Sequence, residues 1–265
     1  MTERRSFWLN ARPGGTGQLI SRLTNDEIDI AIALTDPLIS GIAKGSTAYK
    51  LVGSYVNTPL NWAVITGTKS KYQSISDLQN TTIGISRLGS GSQTMAYVMA
   101  LQQGWPTDKL EFKINNDIRG LIDSVNDDTT SAFMWEWFTT KPFVDAGEAR
   151  FIGSVPTPWP SWLIAAHPTR AATEALTKFL ATLSFDSEES RKTANVEFIK
   201  AKFGYPEEDI RAWLKTVAYP QDCATIPISV ITDTLSVLEK AGFVKSPEGG
   251  FDVHHFVNTD VVKLT

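Results

Sequence analysis

Cysteine is almost missing from this chain, and Cys223 is the only one. No internal disulfide can form and no cysteine-based zinc site is available, so Cys223 is expected to be an ordinary structural or surface residue. Long apolar runs are missing too. No stretch of about 18 apolar residues occurs, and the opening Met1-Thr2-Glu3-Arg4-Arg5-Ser6-Phe7-Trp8 lacks the apolar core of a secretory signal. No membrane is expected as a partner, and an intracellular, cytoplasmic location is the simplest expectation. Positive charge is not in excess either. Lys and Arg number 25 against 29 Asp and Glu, a net charge of −4, and the one basic cluster, Arg4-Arg5, is too short to track phosphates. Nucleic acid is therefore not expected as a partner. The three histidines, His167, His254 and His255, show no metal-ligand spacing. No Gly-x-Ser-x-Gly elbow appears and no carboxylate pair is marked by spacing. No metal, cofactor or catalytic residue is expected.

What is present is a chain of 265 residues, 42% hydrophobic, long enough for two lobes with separate cores. Its first half alternates short apolar runs with helical segments. Gly14-Gly15-Thr16-Gly17 precedes a helix over 18–25, and Ile28 to Leu34 reads as a strand. Asp36 suits an N-cap and Pro37 a first helical position, giving a helix to Lys44 that Gly45 stops. A strand over 49–56 follows. Asn57-Thr58-Pro59 then breaks the pattern, and Pro59 suits a crossing between lobes. Strands are expected at 62–66, 82–85, 111–114, 131–135 and 151–155, with helices at 90–103, 118–126 and 136–146 between them. Pro156-Thr157-Pro158-Trp159-Pro160 reads as a second crossing, because three prolines in five residues exclude regular structure. Trp162 to Ala166 is a strand that could rejoin the first lobe. The last hundred residues read as four helices, expected to form a structural cap.

This order predicts an α/β fold of two lobes. An outer lobe takes residues 1–58 and 159–265 and an inner lobe takes 59–158. Each is expected to hold a mainly parallel sheet with one antiparallel crossing strand. Two connecting strands make a hinge architecture, whose ligand site is the cleft at the carboxyl ends of the strands.

Four segments could carry chemistry there. Ser86-Arg87-Leu88-Gly89-Ser90-Gly91-Ser92 joins a strand to a helix. Its glycines allow close backbone approach, and Ser90, Ser92 and Arg87 add hydroxyls and charge. Arg87, Gly89, Ser90, Gly91 and Ser92 thus suit a carboxylate, sulfonate or phosphate. The loop is neither a Walker loop nor a dinucleotide fingerprint. Its alternative is a Ser/Gly helix cap with a surface arginine. Trp135 and Glu136 end a strand; they are either a stacking ring with a hydrogen-bond acceptor or core packing with a helix-end charge. Trp137 and Phe138 are expected in the core. Trp159 and Trp162 flank the second crossing and could touch a ligand. Thr35 could turn its hydroxyl to the cleft or cap the next helix.

Five strings carry a family resemblance. "GGTGQLISRLTNDEIDIAIALTD" is similar to the outer-lobe helix and strand of type 2 periplasmic-binding-protein-like proteins. "SISDLQNTTIGISRLGSGS" is similar to their inner-lobe ligand-loop segment. "ISRLGSGS", "FMWEWFTTKP" and "TPWPSW" resemble a fungal intracellular offshoot related to the sulfonate-, nitrate- and thiamine-pyrimidine-binding branch. The likeness spans about Gly14 to Trp162 and implies ligand contacts at Thr35, Ser90, Gly91 and Ser92. Family members usually begin with a further strand and helix. Here Phe7 to Asn10 reads as the second strand, so the chain is either shortened or takes another path at residues 1–10. The implied function is a solute-binding protein that closes a hinge cleft on a small, anionic or heteroaromatic ligand. The alternatives are an enzyme resembling thiamine-pyrimidine synthases, whose cysteine-rich motif has no counterpart here, and a non-binding structural or regulatory relative.

Overall fold

Short runs of Val, Ile, Leu and Ala, bounded by Gly, Pro and Asn, build two main sheets and a short two-stranded one. The computed structural model of the chain describes residues 15–169, 172–183 and 192–265, so the strand expected at Phe7 to Asn10 lies outside the described residues. In chain order come α1 (Gly15–Thr24), β1 (Ile30–Leu34), α2 (Thr35–Ala43) and β2 (Lys50–Val56). Next are β3 (Asn61–Thr66), β4 (Thr82–Ile85), α3 (Gly91–Gln103), β5 (Glu111–Ile114), α4 (Ile118–Asn126), β6 (Ala132–Glu136), α5 (Trp137–Asp145) and β7 (Arg150–Pro156). The chain continues with β8 (Trp162–Ala166), α6 (Thr173–Thr182), α7 (Thr193–Phe203), α8 (Glu207–Thr216), β9 (Thr225–Ile226), α9 (Ile228–Lys240) and β10 (Lys263–Leu264).

The first sheet has the order β1-β8-β2, and β8 runs antiparallel to both neighbours. Its register sets Trp162 between Leu34 and Val56, at the carboxyl ends of β1 and β2. The second sheet has the order β5-β4-β6-β3-β7. Its β4 is parallel to β5 and β6, while β3 is antiparallel to β6 and β7. Each sheet therefore contains one antiparallel strand, the one that enters from the other lobe, which gives the two-lobed periplasmic-binding-protein-like architecture.

Strand alternation sends side chains to two cores per sheet. In the outer lobe, Leu38, Ile39, Leu51 and Leu163 pack with Ile231 and Leu235 of α9. On the opposite face Val52, Ile164 and Ala166 meet Leu176 and Leu180 of α6. In the inner lobe Trp62, Val64 and Met134 face Met95 and Met99 of α3, and Ala63, Ile65 and Phe133 face Leu121 and Val125 of α4. Gly104 ends α3 in the left-handed region at φ 69°, as a C-terminal glycine should.

Two expected boundaries move, for physical reasons. Asp36 does not cap α2, because the helix begins at Thr35. Thr35 is held there by the second crossing: its amide donates to the Ser161 carbonyl at 3.2 Å and its hydroxyl to the Pro160 carbonyl at 2.5 Å. The helix thus starts a residue early and buries Asp36 in its first turn. Glu136 does not open α5. It ends β6, and its carboxylate caps the helix by accepting from Thr139 N at 2.7 Å.

Candidate functional site

The lobes meet where both crossings run side by side, and their backbone groups satisfy each other. Thr157 N donates to Leu60 O at 2.9 Å, Leu60 N to Thr157 Oγ1 at 3.0 Å, and Ser161 N to Thr58 O at 2.9 Å. The end of α8 is tied in as well, with Asn57 N donating to Ala218 O at 2.8 Å. Thr35 belongs to this lacing, so its hydroxyl is committed to Pro160. Trp159 is buried in the α3-side core of the inner lobe.

On the α3 side the space between lobes is filled. Gly91 lies against Trp62 and Leu34; a Cβ there would come within 2.8 Å of the indole, so the close approach requires glycine. The Arg87 guanidinium occupies the space where a Cβ on Gly17 of α1 would stand. Farther along α3, Tyr97 meets Phe243 of the outer lobe edge to face at 5.1 Å between ring centroids. The hydroxyls of the 86–92 loop are engaged at home. Ser90 Oγ donates to Arg87 O at 2.7 Å, Ser90 and Ser92 share a bond of 2.9 Å, and Ser86 N donates to Ser92 Oγ at 3.1 Å. Gly89, at φ 70°, gives its amide to Gln93 Oε1 at 2.7 Å.

A carboxyl is trapped in this layer. Asp36 of α2 is 4% exposed and shares a hydrogen bond with Thr94 of α3. Burial pushes its pKa up to about 7, against the opposing pulls of its own amide and of the Thr94 hydroxyl. The Trp62 indole Nε1 is buried with no hydrogen-bond partner among the described residues. Trp62 stands directly opposite Glu136 in the β3–β6 register, so the two side chains leave the sheet on the same face.

Beside Glu136 the packing opens into a cavity of about 340 Å3. Glu136, Phe138 and Thr139 form its inner-lobe wall, and Trp162 enters from β8. The hairpin of α7 and α8 supplies Ile199, Phe203, Tyr205, Asp209, Ile210 and Trp213. That hairpin has a small core of its own, Val196 with Ile210 and Leu214, which leaves Phe203 55% exposed at the rim. Buried Asp209 reaches Lys141 of α5 at 3.3 Å, while Lys141 pairs more closely with Asp145 at 2.6 Å. The two carboxylates, Asp145 first, raise the ammonium pKa above its ordinary value. A second cavity of about 210 Å3 lies between α6 and residues 221–224, away from the crossings.

Of the residues singled out in the sequence, the structure brings Glu136 and Trp162 together on this cavity. It sets Thr35 and Trp159 in the crossings, and Arg87, Gly89, Ser90, Gly91 and Ser92 at the α3 end of the lobe interface. Trp135 packs on the α4-side core and Trp137 stacks on Phe151 at 4.1 Å. Phe138, expected in the core, lines the cavity instead, one residue after Trp137 in the first turn of α5. Sequence reasoning missed Tyr205 and Trp213. The available signal was the Gly204-Tyr205-Pro206 break between two helices with aromatic residues on both sides.

The Ca3427-like periplasmic-binding-protein (PBP) family model matches residues 62–155. Over its length the chain is similar to the Candida albicans CA3427 gene product, described as defining a family with the generic periplasmic binding protein fold. The two share 32% identity and a TM-score of 0.84, over 96% of this chain and 87% of that one. The alkanesulfonate-binding protein SsuA from Xanthomonas axonopodis pv. citri, bound to MOPS, superposes at a TM-score of 0.74 with 14% identity, over 95% and 86% of the two chains. SsuA from Escherichia coli, a periplasmic aliphatic sulphonate binding protein, gives 0.71 and 14%, over 94% and 86%. No sequence among the curated proteins matches the chain.

Proposed function

Because the chain belongs to the Ca3427-like family of periplasmic-binding-protein-fold proteins, we propose that it is a solute-binding module whose lobes close on a small molecule in the aromatic cavity beside Glu136. The observation that carries this reading is the wall of that cavity. Phe138, Trp162, Phe203, Tyr205 and Trp213 converge from both lobes on one space of about 340 Å3. That volume is at the small end of the roughly 300–1,000 Å3 typical of small-molecule sites. Rings of this kind bind flat or apolar bodies well and leave orientation to a few polar groups, here Glu136, Thr139 and Asp209. Of the two guest classes the sequence suggested, the walls favour an aromatic or compact apolar body over a bare anion. The hydroxyls of the 86–92 loop are already hydrogen-bonded within the loop. In this reading the loop senses closure by docking Arg87 on Gly17, and the laced crossings act as the hinge.

A thermal-shift screen of sulfonates, carboxylates, pyrimidines, small aromatics and ammonium compounds tests the proposal. A guest at a hundred times its Kd stabilises the closed form by about 2.7 kcal/mol, a shift of a few degrees for a chain of this size. The expected result is at least one such class, with the shift abolished in Phe138→Ala and kept in Ser90→Ala, whose hydroxyl is engaged within its own loop. Hits unaffected by Phe138→Ala, or no hit in any class, overturn it.

A further inference from the structure

We infer that the guest of this cavity is an organic cation with an apolar surface, such as a quaternary ammonium or an N-alkyl pyridinium; this rests on the solute-binding reading above. The ring faces of Trp162, Trp213 and Tyr205 are negative by their quadrupoles and attract a weakly hydrated cation. The charged groups that line the cavity are the carboxylates Glu136 and Asp209, with no lysine or arginine among the described residues of its wall. Lys141 pairs with Asp209 at 3.3 Å but more closely with Asp145 at 2.6 Å, so two carboxylates share one ammonium, and no ion pair to Glu136 is present among the described residues.

The geometry of those carboxylates points the same way. Glu136 uses Oε2 to cap α5, accepting from Thr139 N and Oγ1 at 2.7 Å each, and keeps Oε1 uncommitted among the described residues. Asp209 is 8% exposed at the side chain, so its charge has lost most of its water, and its ion pair at 3.3 Å is longer than the competing pair at 2.6 Å. A buried, incompletely neutralised carboxylate beside aromatic faces is costly when empty and favourable when a cation arrives. A sulfonate or carboxylate entering the same space would meet like charge. A neutral ring would fill it yet remove water from two carboxylates without replacing it.

Isothermal titration with matched probes separates these cases. Choline and tetramethylammonium supply the cation; 3,3-dimethylbutan-1-ol has the shape of choline without the charge; propane-1-sulfonate supplies an anion. The expected result is binding of the cations at least about tenfold tighter than the alcohol, with no heat from the sulfonate. Glu136→Gln, which keeps the size of the side chain, weakens choline about tenfold. Asp209→Asn does the same from the other wall, so a folding defect in one variant leaves the other to decide. Equal affinity for choline and the alcohol, or cation affinity unchanged in both variants, overturns the inference but leaves the solute-binding reading standing. Silence from all four probes together with an empty thermal-shift screen removes both.

Discussion

Asp36 shows how one residue links folding to pH. It sits in the first turn of α2, where a negative charge is favoured by the helix end, yet it is pressed between α2 and α3 with almost no water. Burial wins, and its pKa rises to about 7. The Thr94 hydroxyl directs its proton at the Ser90 carbonyl at 3.2 Å, so a protonated Asp36 can donate to the Thr94 oxygen, whereas an ionised one competes for that proton. Because the folded value lies above the unfolded 3.8, the native state binds more protons between the two. Stability is then greatest below about pH 4 as far as this group is concerned, and falls as pH rises towards 7. Asp36→Asn keeps the shape and removes the titration. Urea unfolding should show wild-type stability dropping by roughly 2–4 kcal/mol between pH 4 and pH 8 relative to the variant. The variant should be the more stable protein at pH 8. Parallel pH profiles for the two proteins would show that the carboxyl is not the group responsible.

At the scale of elements, the α7–α8 hairpin differs from everything else that lines the cavity. Strands β3 and β6 lie between two helical layers, with Val64, Ile65, Phe133 and Met134 fully buried. The hairpin instead relies on Val196, Ile210 and Leu214, the Asp209–Lys141 pair and the tie from Asn57 to Ala218, and leaves Phe198 64% exposed. Few buried apolar contacts mean a low opening free energy. Amide hydrogen exchange should therefore be faster by about two orders of magnitude or more over 193–216 than over β3 and β6, and a bound guest should slow it in the hairpin first. Uniform protection across both regions would count against the hairpin as the moving wall. The same contrast marks what could be read from sequence. The alternation of strands and stopped helices is local and gave the sheet order its elements, including β8 inserted between β1 and β2. Helical spacing also located α7 and α8. That they fold over α5 depends on Tyr205, Trp213 and Asp209 meeting Phe138, Glu136 and Lys141 some seventy residues earlier in the chain, and no periodicity encodes such a pairing. Thr35 was legible as a residue whose hydroxyl faces the cleft or caps the next helix, but its partner Pro160 lies 125 residues away, which is why its role as an anchor was not.

For the whole molecule the question is how firmly the two lobes hold each other. Three of the larger cores lie within a single lobe, and one, around Trp62 and Met95, draws Leu34, Trp162 and Val237 from the other. Beyond that core the lobes also meet along α3: Arg87 on Gly17, Asp36 with Thr94, and Tyr97 against Phe243. An edge-to-face ring pair is worth about 0.5–1.5 kcal/mol beyond the area it buries. Removing one is enough to shift an equilibrium between forms that differ by a few kcal/mol. Phe243→Ala takes the ring from the outer lobe and Tyr97→Ala takes it from the inner one, and the two changes disturb different cores. Both should raise the radius of gyration measured by X-ray scattering above the value of about 18 Å expected for a compact chain of this length. On the proposed hinge reading, a guest that bridges Phe138 and Trp213 should return it to the wild-type figure, because it favours the closed form and supplies the closure energy the ring pair no longer provides. An expansion in only one variant would point to damage within that lobe. No expansion in either would mean that the crossings hold the lobes as one rigid body, and that guests enter by displacing the α7–α8 hairpin rather than by opening the cleft.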